Sequence, residues 1–375
     1  MQLLPAITGL CTLVGVAQLI IGTRLIERRA AAPAPVPAAR PPVSVLKPLC
    51  GVDPLTEIAL ESFFLIDYPD YQLVFGVQSE TDPVLDVLAT LRARHPERDV
   101  AVVVDATLHG SNRKVSNLIN MLPAARHELL VITDADIHVP VYFLDRVVAA
   151  MEQPNIGLVT TLYTGLPGTP GLPALLGACQ VNYTFLPGAL LARELGRQDC
   201  LGVTMALSKA VLAEIGGLEA VANNLADDQV LGRLVLARGY KLGLALVIPA
   251  TTVPEADFGS LFQHELRWAR TIRALVPVPY AASVLQFSLF WAALTVLLAY
   301  GAIWSWALFV FVLAARYAAS RKIDAALSLS KSGEAWLLLL RDFCSTIIYV
   351  ASFTGSQVDW RGQVMHADAG KLPHR

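Results

Sequence analysis

The sequence predicts an α/β protein: a mostly parallel sheet covered by helices on both faces, with transmembrane helices at its N-terminal and C-terminal ends. Three observations carry this expectation. Of 375 residues, 54% are hydrophobic and 16% charged, and the mean hydropathy of +0.52 is too apolar for an ordinary soluble domain. The apolar surplus is concentrated at the two ends, while short strand-like and helix-like runs alternate between them. Acidic residues close several of the apolar runs in that middle region, most plainly in "VITDADIHVP" (131–140), where Asp134 and Asp136 end a strand pattern. Two such carboxylates repel each other, and burying either one unpaired is costly. A positive charge, or water, has to accompany them.

The first element, "LLPAITGLCTLVGVAQLIIGT" (3–23), is uncharged over the roughly 20 residues that span a bilayer. A signal peptide is the competing interpretation, but no basic n-region precedes the run, and Arg24, Glu27, Arg28 and Arg29 follow it without a clear small-residue cleavage site. Residues 1–27 are therefore expected to be a retained anchor, and 28–42, with the Pro/Ala run "AAAPAPVPAARPP", a semi-extended linker.

From residue 43 the pattern alternates. "VSVLKPL" (43–49), "YQLVFGVQ" (71–78), "DVAVVVD" (99–105) and "ELLVIT" (128–133) have the character of buried strands. "TEIALESFFLI" (56–66), "PVLDVLATLRARH" (83–95) and "NRKVSNLINMLPAA" (112–125) have helical spacing. Such a β-α-β rhythm specifies a largely parallel sheet, whose ligands gather outside the carboxyl ends of the strands. "LYTGLPGTPGLPALLG" (162–177), rich in Gly and Pro, is expected to be a loop over the sheet edge, and a further strand and helix start at "CLGVTMALSKAVLAEIGG" (200–217). The domain is expected to span 43–275, including a helix at 262–273 that leads into the C-terminal membrane segments, 282–356, and a tail, 357–375.

The C-terminal segments comprise a helical hairpin over 282–320, turning near Gly301, and a third apolar run at 335–356. That run spans the bilayer or re-enters it, and it contains Arg341 and Asp342, which at such depth face a bundle interior or pair. The basic clusters Arg24/Arg28/Arg29, Arg267/Arg270/Arg273 and Arg316/Arg321/Lys322 fall on one side of the membrane if the middle region is cytoplasmic. A net charge of −2 gives no pull towards nucleic acid, and five scattered cysteines without a CxxC pair indicate neither a zinc site nor a disulfide framework.

Asp134 and Asp136 at a strand end can hold a hard divalent ion that also bridges a pyrophosphate, although an acidic pair there is also an ordinary solvated turn. Three further stretches add to them. "VQSETDP" (77–83) offers Glu80 and Asp82 to a ribose or nucleobase, and Asp82 before Pro83 equally suits a helix cap. "HGSNRKVSNL" (109–118) opens a helix with Asn112, Arg113, Lys114 and Asn117; its backbone N–H groups favour phosphate, with Arg113 or Lys114 adding charge. In "NNLADDQVLGRLVLARGYKL" (223–242), one of Asp227 and Asp228 can cap a helix while the other points into a cleft. Finally, helical spacing in "FQHELRWARTIR" (262–273) groups His264, Arg267 and Trp268 on one face, a pattern also expected of an amphipathic helix at a membrane surface.

The ordered set "VSVLKPLCG", "VQSETDP", "SNRKVSNL", "TDADI", "LADDQ" and "HELRWARTIR" resembles the ceramide glucosyltransferase-like inverting glycosyltransferases of the GT-A (Rossmann-like) fold. It is most similar to their bacterial branch associated with hopanoid biosynthesis. The resemblance implies that Asp134 and Asp136 are the Asp-x-Asp pair for a divalent metal, Mg2+ or Mn2+, and for the nucleotide. It implies that Asp228 is the general base. Arg267 and Trp268 match the family's Gln/Arg-x-x-Arg-Trp motif, in which His264 replaces the usual Gln or Arg. Ser79 stands where the second motif usually carries an acid, leaving Glu80 or Asp82, with Asp82 preferred, for the uridine.

On this resemblance Lys47, Glu80, Asp82, Asn112, Lys114, Asp134, Arg267 and Trp268 serve the nucleotide-sugar, and Asp227 and His264 the acceptor side. The implied reaction moves a sugar from a UDP-sugar donor to a membrane lipid acceptor at the bacterial inner membrane. N-acetylglucosamine and bacteriohopanetetrol are the favoured pair and glucosylceramide synthesis is the alternative. A processive polysaccharide synthase would require a long polar-lined bundle that three or four short spans do not supply, and an inactive scaffold would not need this set of acids.

Overall fold

The computed structural model describes residues 3–330, 334–360 and 363–366. Residues 361–362 and 367–375 of the expected tail lie outside the described residues. Contacts divide the chain into two compact units, one built from Pro33–Gly168 and Gln198–Pro254, the other from residues up to Ala32, Thr169–Arg197 and the chain from Glu255.

After helix α1 (Leu3–Ala30), which belongs to the second unit, the first unit runs through β1 (Val43–Pro48), α2 (Thr56–Phe64), β2 (Tyr71–Val77), α3 (Val84–Arg94) and β3 (Asp99–Val104). It continues with α4 (Arg113–Met121), β4 (Leu129–Thr133), β5 (Ile137–His138), α5 (Phe143–Met151), β6 (Ile156–Thr160) and β7 (Thr164–Pro167). Helices α6 (Leu172–Gln180) and α7 (Leu186–Glu194) belong to the second unit, and the first resumes with β8 (Thr204–Ser208), α8 (Lys209–Glu214), α9 (Asp227–Ala237), β9 (Lys241–Leu244) and β10 (Ala250–Val253).

Seven strands form one sheet in the order β3-β2-β1-β4-β8-β6-β9. The pairs β1/β2, β1/β4, β2/β3 and β6/β9 are parallel, and β8 runs antiparallel to both its neighbours. The expected mostly parallel α/β sheet is therefore the one observed. Strands β1, β2 and β4 are buried along their whole length, which is why they read as unbroken apolar runs rather than alternating ones. One face packs on Leu60, Phe63 and Phe64 of α2, Leu88 and Leu91 of α3, and Phe143 and Val147 of α5. The other packs on Val115, Leu118 and Met121 of α4 and Val230, Leu231 and Val235 of α9. A smaller sheet, β5-β10-β7, supports the chain just beyond Asp136.

The stretch 162–177, expected to be a loop, instead contains β7 and the start of α6. Together with α7 and the π-helical turn Val181–Phe185, α6 makes a helix at Leu172–Glu194 that is long and apolar enough to cross a membrane. The Gly and Pro residues that suggested a loop lie at the helix start, where Gly171 is the cap and Pro173 occupies the first turn, a position that proline tolerates.

The second unit also holds α10 (Phe258–Leu275), α11 (Pro277–Ala282), α12 (Ser288–Leu298), α13 (Ile303–Leu327), α14 (Ala335–Ser352) and the antiparallel pair β11 (Gln357–Trp360) and β12 (Gln363–His366). Among the described residues four helices meet the length and hydropathy needed to cross a bilayer: α1, Leu172–Glu194, α13 and α14. A fifth segment, Pro277–Gln286 with Ser288–Leu298, is bent by 64°. The chain has the build of a membrane protein. The turn before α13 falls where expected, with Tyr300 and Gly301 both at positive φ, a conformation costly for any residue but glycine at the second position.

Arg341 and Asp342 face the unit's interior and are paired. Arg341, 1% exposed, makes a two-pronged bond to Glu265 at 2.8 and 2.9 Å and also donates to the Leu176 carbonyl and to Ser345. Asp342 accepts from Arg316 and from the Leu289 amide. Glu265→Ala strands a buried guanidinium and is expected to lower stability by about 3–5 kcal/mol in unfolding measured in detergent. Replacing both partners, as Glu265→Leu with Arg341→Met, should recover most of that loss.

Candidate active site

Asp134 leaves the carboxyl end of β4, and what surrounds it answers the charge problem posed by the sequence. The Lys114 ammonium lies 2.6 Å from Asp134 Oδ1 and 3.6 Å from Asp227 Oδ2. Burial on its own would lower that ammonium's pKa, but Asp134, Asp227 and Asp228 outweigh it and hold the group well above its ordinary value. One cation thus gathers acids from two segments far apart in sequence, the β4–β5 connection and the start of α9.

Backbone bonding explains how Lys114 arrives there. Asn112 caps α4 by accepting from the Val115 amide at 3.1 Å, while its side-chain amide donates to the Asn224 carbonyl at 2.8 Å. The Asn112 amide donates to the Ala222 carbonyl, and the Ser111 amide to Asn223 Oδ1. At Gly110 a Cβ would sit 2.4 Å from the Ala222 carbonyl oxygen, so only glycine allows this approach. Asn112 is fully buried and locks the start of α4 to the segment that precedes α9. Lys114, the second residue of the helix, is thereby directed at the acids.

Lys47, at the end of β1, is also fully buried. Its ammonium donates to Thr133 Oγ1 at 3.0 Å and to the Asp134 carbonyl at 2.6 Å, and lies 3.8 Å from the centre of the Phe63 ring. Burial lowers its pKa to about 7, against the opposing pull of Asp136 and Asp134. Lys47 holds the backbone of the Asp-x-Asp turn from within the fold.

Asp136 accepts from the Thr251 hydroxyl, and its carbonyl takes the Thr252 amide, so β10 fixes it on both sides. Burial, then the charge of Asp134, pushes its carboxyl pKa up. His138, bonded to Thr252 Oγ1 at 2.8 Å, has its pKa lowered to about 4 by burial and by Lys47 and is neutral near pH 7.

Asp227 and Asp228 open α9, whose dipole favours acids at that end. Asp227 is buried, and its pKa is raised by that burial. Asp228 accepts the Gly202 amide at 2.8 Å on one oxygen and the Gln229 amide at 2.7 Å on the other. Burial first, then the charge of Asp227, raises its pKa to about 7. A carboxyl so poised, largely but not wholly buried, can exchange a proton near neutral pH. Tyr163, just before β7, was not anticipated. After burial, the charges of Asp228, Asp134 and Asp136 raise its phenol pKa, so it stays protonated beside the cluster. Only its place in a stretch taken for a loop concealed it.

The remaining expected residues divide. Both Asp82 oxygens accept the Gly51 amide, and one also accepts the Val84 amide, so this carboxylate caps α3 and closes the 49–51 turn. Glu80, on the same connection, is exposed. His264, Arg267 and Trp268 lie on α10 in the apolar unit, where the rings of His264 and Trp268 meet edge to face at 4.3 Å.

Asp134 and Asp136 together offer hard carboxylate oxygens two residues apart, a donor set suited to Mg2+ or Mn2+. Among the described residues no group of three or more His, Cys, Asp or Glu is arranged to hold a metal alone. Two carboxylates leave most of a coordination shell to a substrate's phosphates and water, as is usual for Mg2+.

A family model described as glycosyl transferase family 21 matches residues 7–372. Ceramide glucosyltransferase 1 of Caenorhabditis elegans is 27% identical over 238 residues, 63% of this chain and 51% of that protein. A ceramide glucosyltransferase of Komagataella phaffii is 32% identical over 123 residues, 32% of this chain and 24% of that protein. The matched region thus spans about half or less of these relatives' length. Among solved structures, the mannosyltransferase PcManGT from Pyrobaculum calidifontis, in complex with GDP-Man and Mn2+, aligns with a TM-score of 0.51 at 22% identity. That alignment covers 93% of this chain and 99% of the other, a likeness of fold.

Because the Asp228 pKa is raised, folding favours its protonated form. Its contribution to stability is fully present below about pH 4, the ordinary carboxylate range, and is lost as pH climbs through about 7. Thermal unfolding should show the wild-type Tm falling across that window, with a shallower fall for Asp228→Asn. Lys114→Met removes the ammonium from three acids and is expected to cost about 3–5 kcal/mol, read in the same unfolding experiment near neutral pH.

Proposed function

The chain belongs to glycosyl transferase family 21, and from that premise we propose that it transfers a sugar from a UDP-sugar to a hydroxyl of a membrane lipid, with inversion at the anomeric carbon. The observation that carries this reading is the gathering of Asp134, Asp227 and Asp228 around Lys114.

In the proposed reaction, the acceptor O–H loses its proton to the Asp228 carboxylate as its oxygen bonds to the anomeric carbon. The bond from that carbon to the diphosphate breaks at the same time, and UDP departs with the electron pair. A base contributes about 10²–10⁴-fold in such a step. Asp136 and Asp134 would hold a divalent cation, which supplies positive charge against the departing diphosphate. Lys114 pairs with Asp134 and Asp227 and orients them, and Lys47 fixes the turn that carries both metal-binding acids. Tyr163 offers a phenol O–H beside them. With Asp82 engaged by backbone amides, Glu80 is the acid proposed to meet the nucleoside. Arg267 is proposed to add charge towards the diphosphate, with His264 and Trp268 serving the acceptor.

For the acceptor, the relatives named ceramide glucosyltransferases favour ceramide and glucose, while a hopanoid polyol with N-acetylglucosamine rests on the motif resemblance alone. Orientation of the first unit towards the cytoplasm rests on the basic clusters flanking the apolar runs.

The test pairs purified protein in nanodiscs with UDP-glucose or UDP-N-acetylglucosamine and each lipid. Asp228→Asn should lower turnover about 10²–10⁴-fold while UDP affinity stays near the wild-type value. Wild-type kcat should rise as pH passes through about 7, where the base loses its proton. Chelation should abolish transfer and Mn2+ or Mg2+ restore it. Transfer that survives both Asp136→Ala and Asp228→Asn would place the chemistry elsewhere.

A further inference from the structure

We propose that Glu255, His264 and Trp268 form a binding site for a hydroxyl-bearing head group, that of the lipid acceptor if the chain glycosylates a lipid as proposed above. Glu255 follows β10 by two residues and is only 7% exposed. One of its oxygens, Oε1, bonds His264 Nδ1. The other, Oε2, is buried and has no hydrogen-bond partner among the described residues. A carboxylate oxygen in that condition bears the full cost of its lost water, which a ligand bringing a donor would remove.

The His264 bond also sets what the imidazole can do. A carboxylate only accepts, so Nδ1 donates in this bond, and Nε2 is the ring nitrogen left to meet a ligand. Trp268, one turn further along α10, packs edge to face with the His264 ring at 4.3 Å. The cluster therefore presents a carboxylate oxygen and a ring nitrogen next to an indole. O–H donors on a short carbon framework match this combination. An anion would meet the Glu255 carboxylate.

Placement selects the acceptor over the donor. All three residues belong to the apolar unit, and α10 leads directly into α11 and the bent apolar segment. His264 stands where the resembling family carries Gln or Arg, so this chain has replaced an obligate donor, or a side chain of mixed character, with a ring held at Nδ1 by Glu255. The main chain of Glu255 is itself tied down by Thr169, whose hydroxyl donates to its carbonyl.

The test measures initial rates for full-length wild type, Glu255→Gln and His264→Gln in phosphatidylcholine nanodiscs. Ceramide and bacteriohopanetetrol are varied at saturating UDP-sugar, then the UDP-sugar at saturating lipid, and UDP affinity is measured by calorimetry. Both variants should raise the acceptor KM about tenfold or more, with donor KM and UDP affinity within about twofold of wild type. A purely structural role would move acceptor and donor constants together. If Glu255→Gln loses UDP binding through misfolding, His264→Gln decides alone. Unchanged acceptor KM, or a donor KM rising in step, overturns the assignment while leaving a wild type that transfers sugar as a glycosyltransferase. A wild type that glycosylates neither lipid overturns the acceptor reading and this ligand with it.

Discussion

The ion cluster around Lys114 is the constraint on which the first unit's chemistry depends. An ammonium 2.6 Å from Asp134 and 3.6 Å from Asp227 lets carboxylates from two separate connections share one location, which their mutual repulsion would otherwise forbid. The arrangement is undercompensated. With Asp136 and Asp228 included, the acids outnumber the two lysines, and the residual negative charge is the property a divalent cation and its diphosphate would neutralise. The surplus also has a kinetic use: after burial, the larger cause, the charge of Asp227 helps raise the Asp228 pKa to about 7, where a general base works best.

Neutral groups hold this charge in place. Asn112 joins two backbone segments and also donates to Asp227, Gly110 permits their approach, and Thr251 and Thr252 hold Asp136 from β10. The apolar unit follows the same rule with larger partners. Arg341 with Glu265, and Arg316 with Asp342, are buried ion pairs that join α10 and α13 to α14. Glu265 and Arg267, two positions apart on α10, fall on different sides of the helix. The pair with Arg341 therefore grips one side of α10 and leaves Arg267 to the other.

Much of this was legible in the sequence because buried parallel strands and amphipathic helices have distinct periods, and β1 to β4 with their helices follow those periods closely. The acids at 134, 136, 227 and 228 were legible because carboxylates ending apolar runs need an explanation. The partner of those acids was less so: Lys114 and Arg113 were equivalent until the cap at Asn112 set the phase of α4. Asp82 and Lys47 show the converse. Their residue types fit a ligand, but the structure turns Asp82 to backbone amides and Lys47 to the underside of the Asp-x-Asp turn, and both choices depend on tertiary neighbours. The helix at Leu172–Glu194 was hidden because Gly171 and Pro173 mark a helix start as readily as a loop. Glu255 lacked any local signal, since its significance comes from His264 nine residues later.

The most direct measurement is pH-difference infrared spectroscopy of the wild-type protein beside Asp228→Asn and Lys114→Met. A cluster organised by Lys114 requires a protonated-carboxyl band that vanishes with a midpoint of about 7, is missing from Asp228→Asn, and shifts to higher pH once the ammonium is gone. A wild-type spectrum in which every carboxyl titrates near about 4, the value of a free side chain, would contradict it.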